Sequence, residues 1–173
     1  MALIYFPDPS NQYWNQELHK VLPYLQTGLW ADVGCGGHTV FPHMLTVDWF
    51  HPDAQYKAPA DALPFEAESL DGVYGSHILE HLENPLGTIR EWLRVVKPLG
   101  YVVVVHPDRR GTPARGSEHF DSQHKGEYTA EELYELVTCL EGVSVVNRDF
   151  EALTIQPPFP WSFKLILRKH GRG

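Results

Sequence analysis

Two glycines and three aspartates carry the first chemical signal in this chain. The run Trp30-Ala31-Asp32-Val33-Gly34-Cys35-Gly36-Gly37 joins a short apolar stretch to a glycine cluster, with a carboxylate two residues ahead of the first glycine. Glycine lacks a Cβ and tolerates positive φ, so such a turn can bend sharply and lie close to a ligand. Asp48 follows the apolar triplet Leu45-Thr46-Val47. A carboxylate at a strand end can accept from both hydroxyls of a ribose, as in nucleotide-binding α/β folds, and Trp49 or Phe50 beside it could lie on a flat base. The same residues also suit blander roles, a turn or cap for Asp48 and packing for Trp49. Asp61 stands in the loop Ala60-Asp61-Ala62-Leu63-Pro64-Phe65, and Ser76-His77-Ile78-Leu79-Glu80-His81 follows further on. His106 leaves another apolar run, and His119, Asp121 and His124 share one long loop. The last three have a spacing able to ligate a metal. With no second shell in view, no metal is expected, and His106 and His124 are instead the candidates for acid–base work.

A dinucleotide-binding fingerprint reads G-x-G-x-x-G, and its third glycine would fall on Thr39. A nicotinamide or flavin is therefore disfavoured. The spacing between Gly37 and Asp48 points the same way. Only residues 38–47 separate them, and three of these form the second strand. A full crossover helix with its loops needs about 10–12 residues, so the first helix must shrink to a turn. Its loss removes the helix N-terminus that best holds a pyrophosphate.

The positioning elements follow from periodicity. Ser10 or Asn11 can cap a helix with Trp14, Leu18, Val21, Leu22 and Leu25 on one face, ended by Pro23 or Gly28. Residues 29–33, 45–47, 72–75 and 101–105 read as strands, the continuous apolar ones suiting a parallel sheet covered on both faces. Asn84-Pro85 opens a helix with Leu86, Ile89, Leu93 and Val96 inward, Lys97 at its C-terminal end and Pro98 as its stop. Thr129-Ala130-Glu131-Glu132 is a capping box before Leu133, Leu136, Val137 and Leu140. Residues 143–146 and 163–167 read as the last strands, joined by the stiff Pro157-Pro158-Phe159-Pro160-Trp161 connector.

Composition narrows the function classes. The 173 residues suit a single domain, 1–173, with 1–28 as a helical segment packed on it. A formal net charge of −8 argues against nucleic acid, which needs a basic face. No apolar run reaches the roughly 20 residues of a membrane span, and no signal peptide is evident. The two cysteines, Cys35 and Cys139, read as reduced thiols in a cytoplasmic protein.

Taken in order, the glycine turn, Asp48, Asp-Ala-Leu-Pro-Phe and above all Ser-His-x-x-Glu-His resemble class I S-adenosylmethionine-dependent methyltransferases of the type 11 group, over about residues 29–105. The resemblance implies a Rossmann-like three-layer α/β sandwich: a mostly parallel seven-stranded sheet with an antiparallel last strand and a reduced first crossover helix. It also implies S-adenosylmethionine as cofactor, held by Asp32, Gly34, Gly36, Asp48, Trp49, Asp61, Ala62, Ser76 and His77. Asp61 would take the adenine amine, with the Ala62 N–H on the ring, and Ser76 or His77 would meet the methionine portion. The expected partner is a small-molecule acceptor methylated at O, N or C. A protein that binds the cofactor without transferring methyl fits the same motifs, and a nicotinamide-dependent oxidoreductase is the more distant alternative.

Overall fold

Runs of β-branched and aromatic residues form strands Trp30–Val33 (β1), Leu45–Val47 (β2), Leu70–Ser76 (β3), Val96–Pro107 (β4), Val143–Asp149 (β5) and Ser162–Lys169 (β6). They are seen in a computed structural model that describes residues 23–25, 27–37, 39, 41–112, 115–118, 121–149 and 162–172. The strands join one sheet in the order β2-β1-β3-β4-β6-β5. β1 pairs in parallel with β2 and β3, and β3 with β4, whereas β6 runs antiparallel to both β4 and β5. The antiparallel last strand and the reduced crossover match expectation: among the described residues no helix separates β1 from β2. The seventh strand does not appear among them. Its place beside β2 is taken by a single parallel bridge, Val47 to Tyr56. Pro52 and Pro59 bracket that bridge and cannot donate to a longer ladder. Most of the expected N-terminal helix and the Pro157–Trp161 connector lie outside the described residues.

Each face of the sheet carries its own core. One holds Ala31, Val33, Val73, Val102, Val104 and Leu165 under the helices Pro85–Val95 (α1) and Ala130–Thr138 (α2). The other gathers Leu25, Trp30, Phe41, Met44, Tyr74, Val103 and Ile166. Two glycines on β3 make room for the largest members. A Cβ on Gly72 would come within 2.4 Å of the Trp30 ring, and one on Gly75 within 2.3 Å of the Trp92 ring.

Both helices begin as their caps predict. Asn84 accepts from the Gly87 N–H, Pro85 occupies the first turn, and Thr129 and Glu132 close the capping box. The end of α1 differs from expectation. The helix stops at Val95, and Val96 opens β4. Pro98 disfavours helix at the residue before it, so the Lys97–Gly100 stretch becomes an irregularity inside β4, with Leu99 at φ 68°. Lys97 pairs with Asp71 at 2.8 Å. The cation at the end of α1 is Lys169, whose Nζ donates to the Leu93 and Val96 carbonyls at 2.9 and 2.8 Å. The buried face is Thr88, Ile89, Trp92 and Val95; Leu86 and Leu93 are half-buried.

The Trp92 indole also donates to the Ala60 carbonyl at 2.8 Å, fixing the loop that carries Asp61. Trp92→Phe keeps most of the packing and leaves that buried carbonyl without a donor. A stability loss of about 1–3 kcal/mol is expected, read as a lower urea midpoint at unchanged m-value. An unchanged midpoint would show that the indole N–H contributes nothing.

Candidate functional site

The loops after β1, β2, β3 and β4 all leave the carboxyl edge of parallel strands, where open α/β sheets bind ligands. After β1, the Gly34 N–H donates to the Val47 carbonyl at 2.8 Å, tying the turn to β2. Gly34, Gly36 and Gly37 have φ of 76°, 55° and 82°. A Cβ on Gly34 would lie 2.8 Å from Ile78, and one on Gly37 would enter the His51 ring. At Gly36 it would meet nothing within 4 Å among the described residues. The turn is therefore packed from below and open above Gly36.

Asp48 organises this end of the site. Its Oδ2 accepts from the Gly36 N–H at 3.0 Å, and its Oδ1 accepts from Phe50 and His51 at 2.8 and 2.9 Å. Burial alone would raise its pKa. The amides of His51, Phe50 and Gly36 outweigh that and hold it below the usual carboxylate range. Trp49 and Phe50 are exposed beside it, large apolar side chains of the kind that mark a contact surface. Asp32 is buried in β1, on the sheet face shared with Trp30 and Tyr74. Burial pushes the Cys35 thiol up in pKa, so it is no ready nucleophile.

Asp61 and Ala62 are exposed on a loop clamped from several directions. Besides the Trp92 bond, the Leu63 N–H donates to Glu91 at 2.9 Å, and Arg94 reaches the Leu63 and Phe65 carbonyls. The Ala62 N–H, expected to face a ligand, donates to the Pro59 carbonyl at 3.2 Å. Asp61 thus has an exposed carboxylate on a fixed loop, while the Ala62 amide already has a partner.

β3 delivers the other half. Ser76 Oγ is buried and has no hydrogen-bond partner among the described residues. His77 adopts φ 52°, a backbone state that non-glycine residues occupy sparingly and often at functional sites. Its Nε2 is 3.1 Å from Ser162 Oγ, and its Nδ1 is 3.5 Å from Glu80 Oε1. Ile78 packs against Gly34, which joins this segment to the glycine turn. The short 3₁₀ turn Leu79–His81 follows.

The two candidate acid–base histidines lie on this side but differ in access. His106 is fully buried, between the rings of Tyr128 and Phe163, with Nδ1 2.7 Å from the Pro107 carbonyl. That contact assigns the proton to Nδ1, leaving Nε2 as a buried acceptor without a partner. Burial pushes its pKa below the ordinary value, with the charge of Glu80 opposing. The His106 ring is thus enclosed rather than open to the cleft. His124 is half-buried, its ring edge-on to His81 at 5.0 Å between centroids. His119 lies outside the described residues.

Sequence reasoning passes over two groups here. Glu80 is 1% exposed, and its Oε2 has no partner among the described residues. The surrounding leucines and histidines give no hint that it points inward. Asp108 is fully buried and grips Arg110 through both oxygens, at 2.9 and 2.6 Å. Burial would raise its pKa, but the guanidinium prevails and holds it low. Arg109 pairs with Glu132, so Arg109 and Arg110 are both bound to carboxylates.

Comparison with known proteins sets this geometry in context. The family model described as "Methyltransferase domain" matches residues 31–104. No curated protein matches the sequence. Among solved structures, a methyltransferase in complex with the Trm112 methyltransferase activator of Haloferax volcanii superposes with a TM-score of 0.69 at 17% identity, covering 95% of this chain and 92% of that one. A SAM-dependent methyltransferase from Aquifex aeolicus gives 0.67 at 15%, covering 94% of each chain. The 1,6-didemethyltoxoflavin-N1-methyltransferase of Burkholderia thailandensis, solved with 1,6-didemethyltoxoflavin and S-adenosylhomocysteine, gives 0.68 at 16%, covering 95% of this chain and 80% of that one. At such identities the likeness establishes the fold.

A histidine whose pKa is depressed in the fold binds fewer protons there than in the unfolded chain. Stability therefore falls as pH drops below the unfolded value of about 6.5, by up to about 1.4 kcal/mol per unit. The depressed carboxylates Asp48, Asp71 and Asp108 add their own loss only near and below about pH 4. His106→Asn should flatten the limb between about pH 6.5 and 4.5 in urea midpoints taken across that range. Equal slopes in wild type and variant would remove His106 as its source.

Proposed function

We propose that this chain, a class I S-adenosylmethionine-dependent methyltransferase with its methyltransferase domain at residues 31–104, moves a methyl group to a small-molecule acceptor lodged beside His77, His81 and His124. The observation that carries this reading is the open space over Gly36, walled by Asp48 on one side and joined through Ile78 to Ser76 and His77 on the other. The residues fit the cofactor: a glycine cradle that a Cβ would fill, a carboxylate beside it, and an unpartnered hydroxyl at Ser76. When bound, S-adenosylmethionine supplies a methyl carbon already activated by the sulfonium charge.

The protein's own work is then mostly positional. Gly34 and Gly36 let the backbone approach the methionine and ribose end, with Asp32 beneath them in β1. The outer lone pairs of Asp48 receive the ribose hydroxyls while its inner ones hold the turn. Trp49 covers the base, and the Asp61 carboxylate takes its amine, with Ala62 lining the same loop. Ser76 and His77 meet the methionine portion. Holding donor and acceptor in attack geometry is worth up to about 7–11 kcal/mol. An acceptor with a proton to lose needs a base within reach. His124, at the half-buried opening, meets that acceptor, and neutral His106 behind it keeps the pocket uncharged. The charge of −8 and the paired arginines favour a small acceptor over nucleic acid.

Asp48→Asn and Gly36→Asn test the cradle. Asparagine tolerates the left-handed backbone at position 36 better than other side chains, so the fold should survive. Gly34 is the poorer choice because any side chain there strikes Ile78. Calorimetric titration should show S-adenosylmethionine affinity falling by about 5–150-fold, or about 1–3 kcal/mol, in each variant. Unchanged affinity in both would dismiss this cleft as the cofactor site. Release of S-adenosylhomocysteine dependent on an added acceptor separates transfer from binding alone.

A further inference from the structure

Chemistry beyond methyl-donor binding concentrates at the 3₁₀ turn after β3. There Glu80, His81 and His124 each offer a ligand atom, and these atoms all lie within 4.8 Å of one another. We propose that they form a binding site for a divalent transition-metal ion of the zinc type. Two imidazoles and one carboxylate are a donor set typical of catalytic zinc, in which three protein ligands leave a coordination position open. The site lies on the acceptor side of the same cleft, and only its use in methyl transfer rests on the reading above.

A second observation points to a ligand. Glu80 is 1% exposed, and among the described residues its Oε2 has no hydrogen-bond partner. A buried carboxylate oxygen left in this way is costly unless something binds it. A cation among Glu80, His81 and His124 would satisfy it.

The supporting groups that metal sites require are also present. Histidine ligands commonly hand their second nitrogen to a carboxylate, which fixes the ring and raises its basicity. His124 has two carboxylates within ion-pair distance, Glu127 Oε1 at 3.6 Å from Nδ1 and Asp121 Oδ2 at 3.9 Å from Nε2, placed where a small ring rotation would bring one of them into such a bond. Glu80 has His77 Nδ1 3.5 Å from its Oε1. The backbone is held as well: Lys125 and Gly126 N–H groups donate to the Glu80 carbonyl, at 2.6 and 3.1 Å, tying the loop that bears His124 to the turn that bears Glu80 and His81. The sequence expectation of no metal rests on His119, Asp121 and His124 as a local trio. The set assembled here draws two ligands from another segment, and it demotes Asp121 to a supporting carboxylate.

Such an ion would stand where an acceptor oxygen could occupy its open position. Bound divalent metals lower the pKa of coordinated water toward about 7, and an acceptor hydroxyl gains acidity for the same reason. His124 then serves the acceptor as a metal ligand.

The test uses the full chain, stripped with a chelator and titrated with Co²⁺ alone, whose visible d–d absorption reports four- or five-coordinate nitrogen and oxygen donors. Saturable one-to-one binding with such a spectrum, displaced by Zn²⁺, is expected. Glu80→Gln and His124→Ala should each weaken it beyond the roughly 10–100-fold typical of losing a supporting group. His124 lies in a surface loop, so its variant remains informative if Glu80→Gln misfolds. Absence of one-to-one Co²⁺ binding by wild type overturns the proposal, as does affinity unaltered by His124→Ala. A parallel titration of metal-free wild type with S-adenosylhomocysteine keeps the two readings apart: heat of binding there with no Co²⁺ site sinks the metal alone, and the converse sinks the cofactor cleft alone.

Discussion

A single carboxylate holds the cofactor half of this molecule together. Asp48 receives three backbone amides, from Gly36 across the sheet edge and from Phe50 and His51 in its own turn. Hydrogen bonds to an ionised acceptor are about twice as strong as neutral ones, and here they replace a missing element. In the usual βαβ unit a crossover helix anchors the loop after the first strand. This connection is too short for one, so the glycine turn is pinned instead by Asp48 from the side and by the Val47 carbonyl from below. One residue therefore does the anchoring that a helix does elsewhere, and positive φ at Gly36 is what lets its amide point at that carboxylate.

The segment after β3 depends on the glycine turn through a narrow contact. Ile78 fills the space that a side chain on Gly34 would need. From it the chain runs back through His77, in its left-handed backbone, and forward into the turn that carries Glu80 and His81. The Glu80 carbonyl in turn receives two amides from the long loop after β4, while Asp108 and Tyr128 bridge at that loop's base. A loop of this length would be expected to move freely, but here both its base and its far limb are tied to the sheet. Order at the donor cradle and order around His124 thus share one set of contacts.

How much of this is legible in the sequence differs from element to element. The glycine turn, the two capped helices and the carboxyl-edge loops are readable because each rests on local chemistry: a missing Cβ, an Asn before a proline, a capping box. The end of α1 is harder to read because the stop sits at Val96 rather than Lys97, and the cation serving that terminus comes from Lys169, more than seventy residues away. No local pattern announces such a partner. The seventh strand is an expectation from resemblance, and at the β2 edge the structure keeps one bridge at Tyr56. The Ala62 amide departs from expectation for a similar reason, since its loop's internal turn has already claimed it.

The hardest feature to foresee is the pair of buried ionisable groups, Glu80 and His106. Both are buried, and each keeps an atom without a hydrogen-bond partner among the described residues. Apolar replacements of similar volume would be expected to stabilise the fold, since burying a charge often costs more than its pairing returns. Stability therefore does not explain them. The sheet interior is otherwise mostly valine, leucine and tryptophan, and the buried ionisable groups Asp32, Glu80, His106 and Asp108 sit at or close to the carboxyl ends of β1, β3 and β4, with Lys164 of β6 paired to Val105 there. That is the edge where parallel strands present ligands. Strain at His77 and, among the described residues, an unpartnered hydroxyl at Ser76 and an unpartnered carboxylate oxygen at Glu80 all fall within one short segment at that edge.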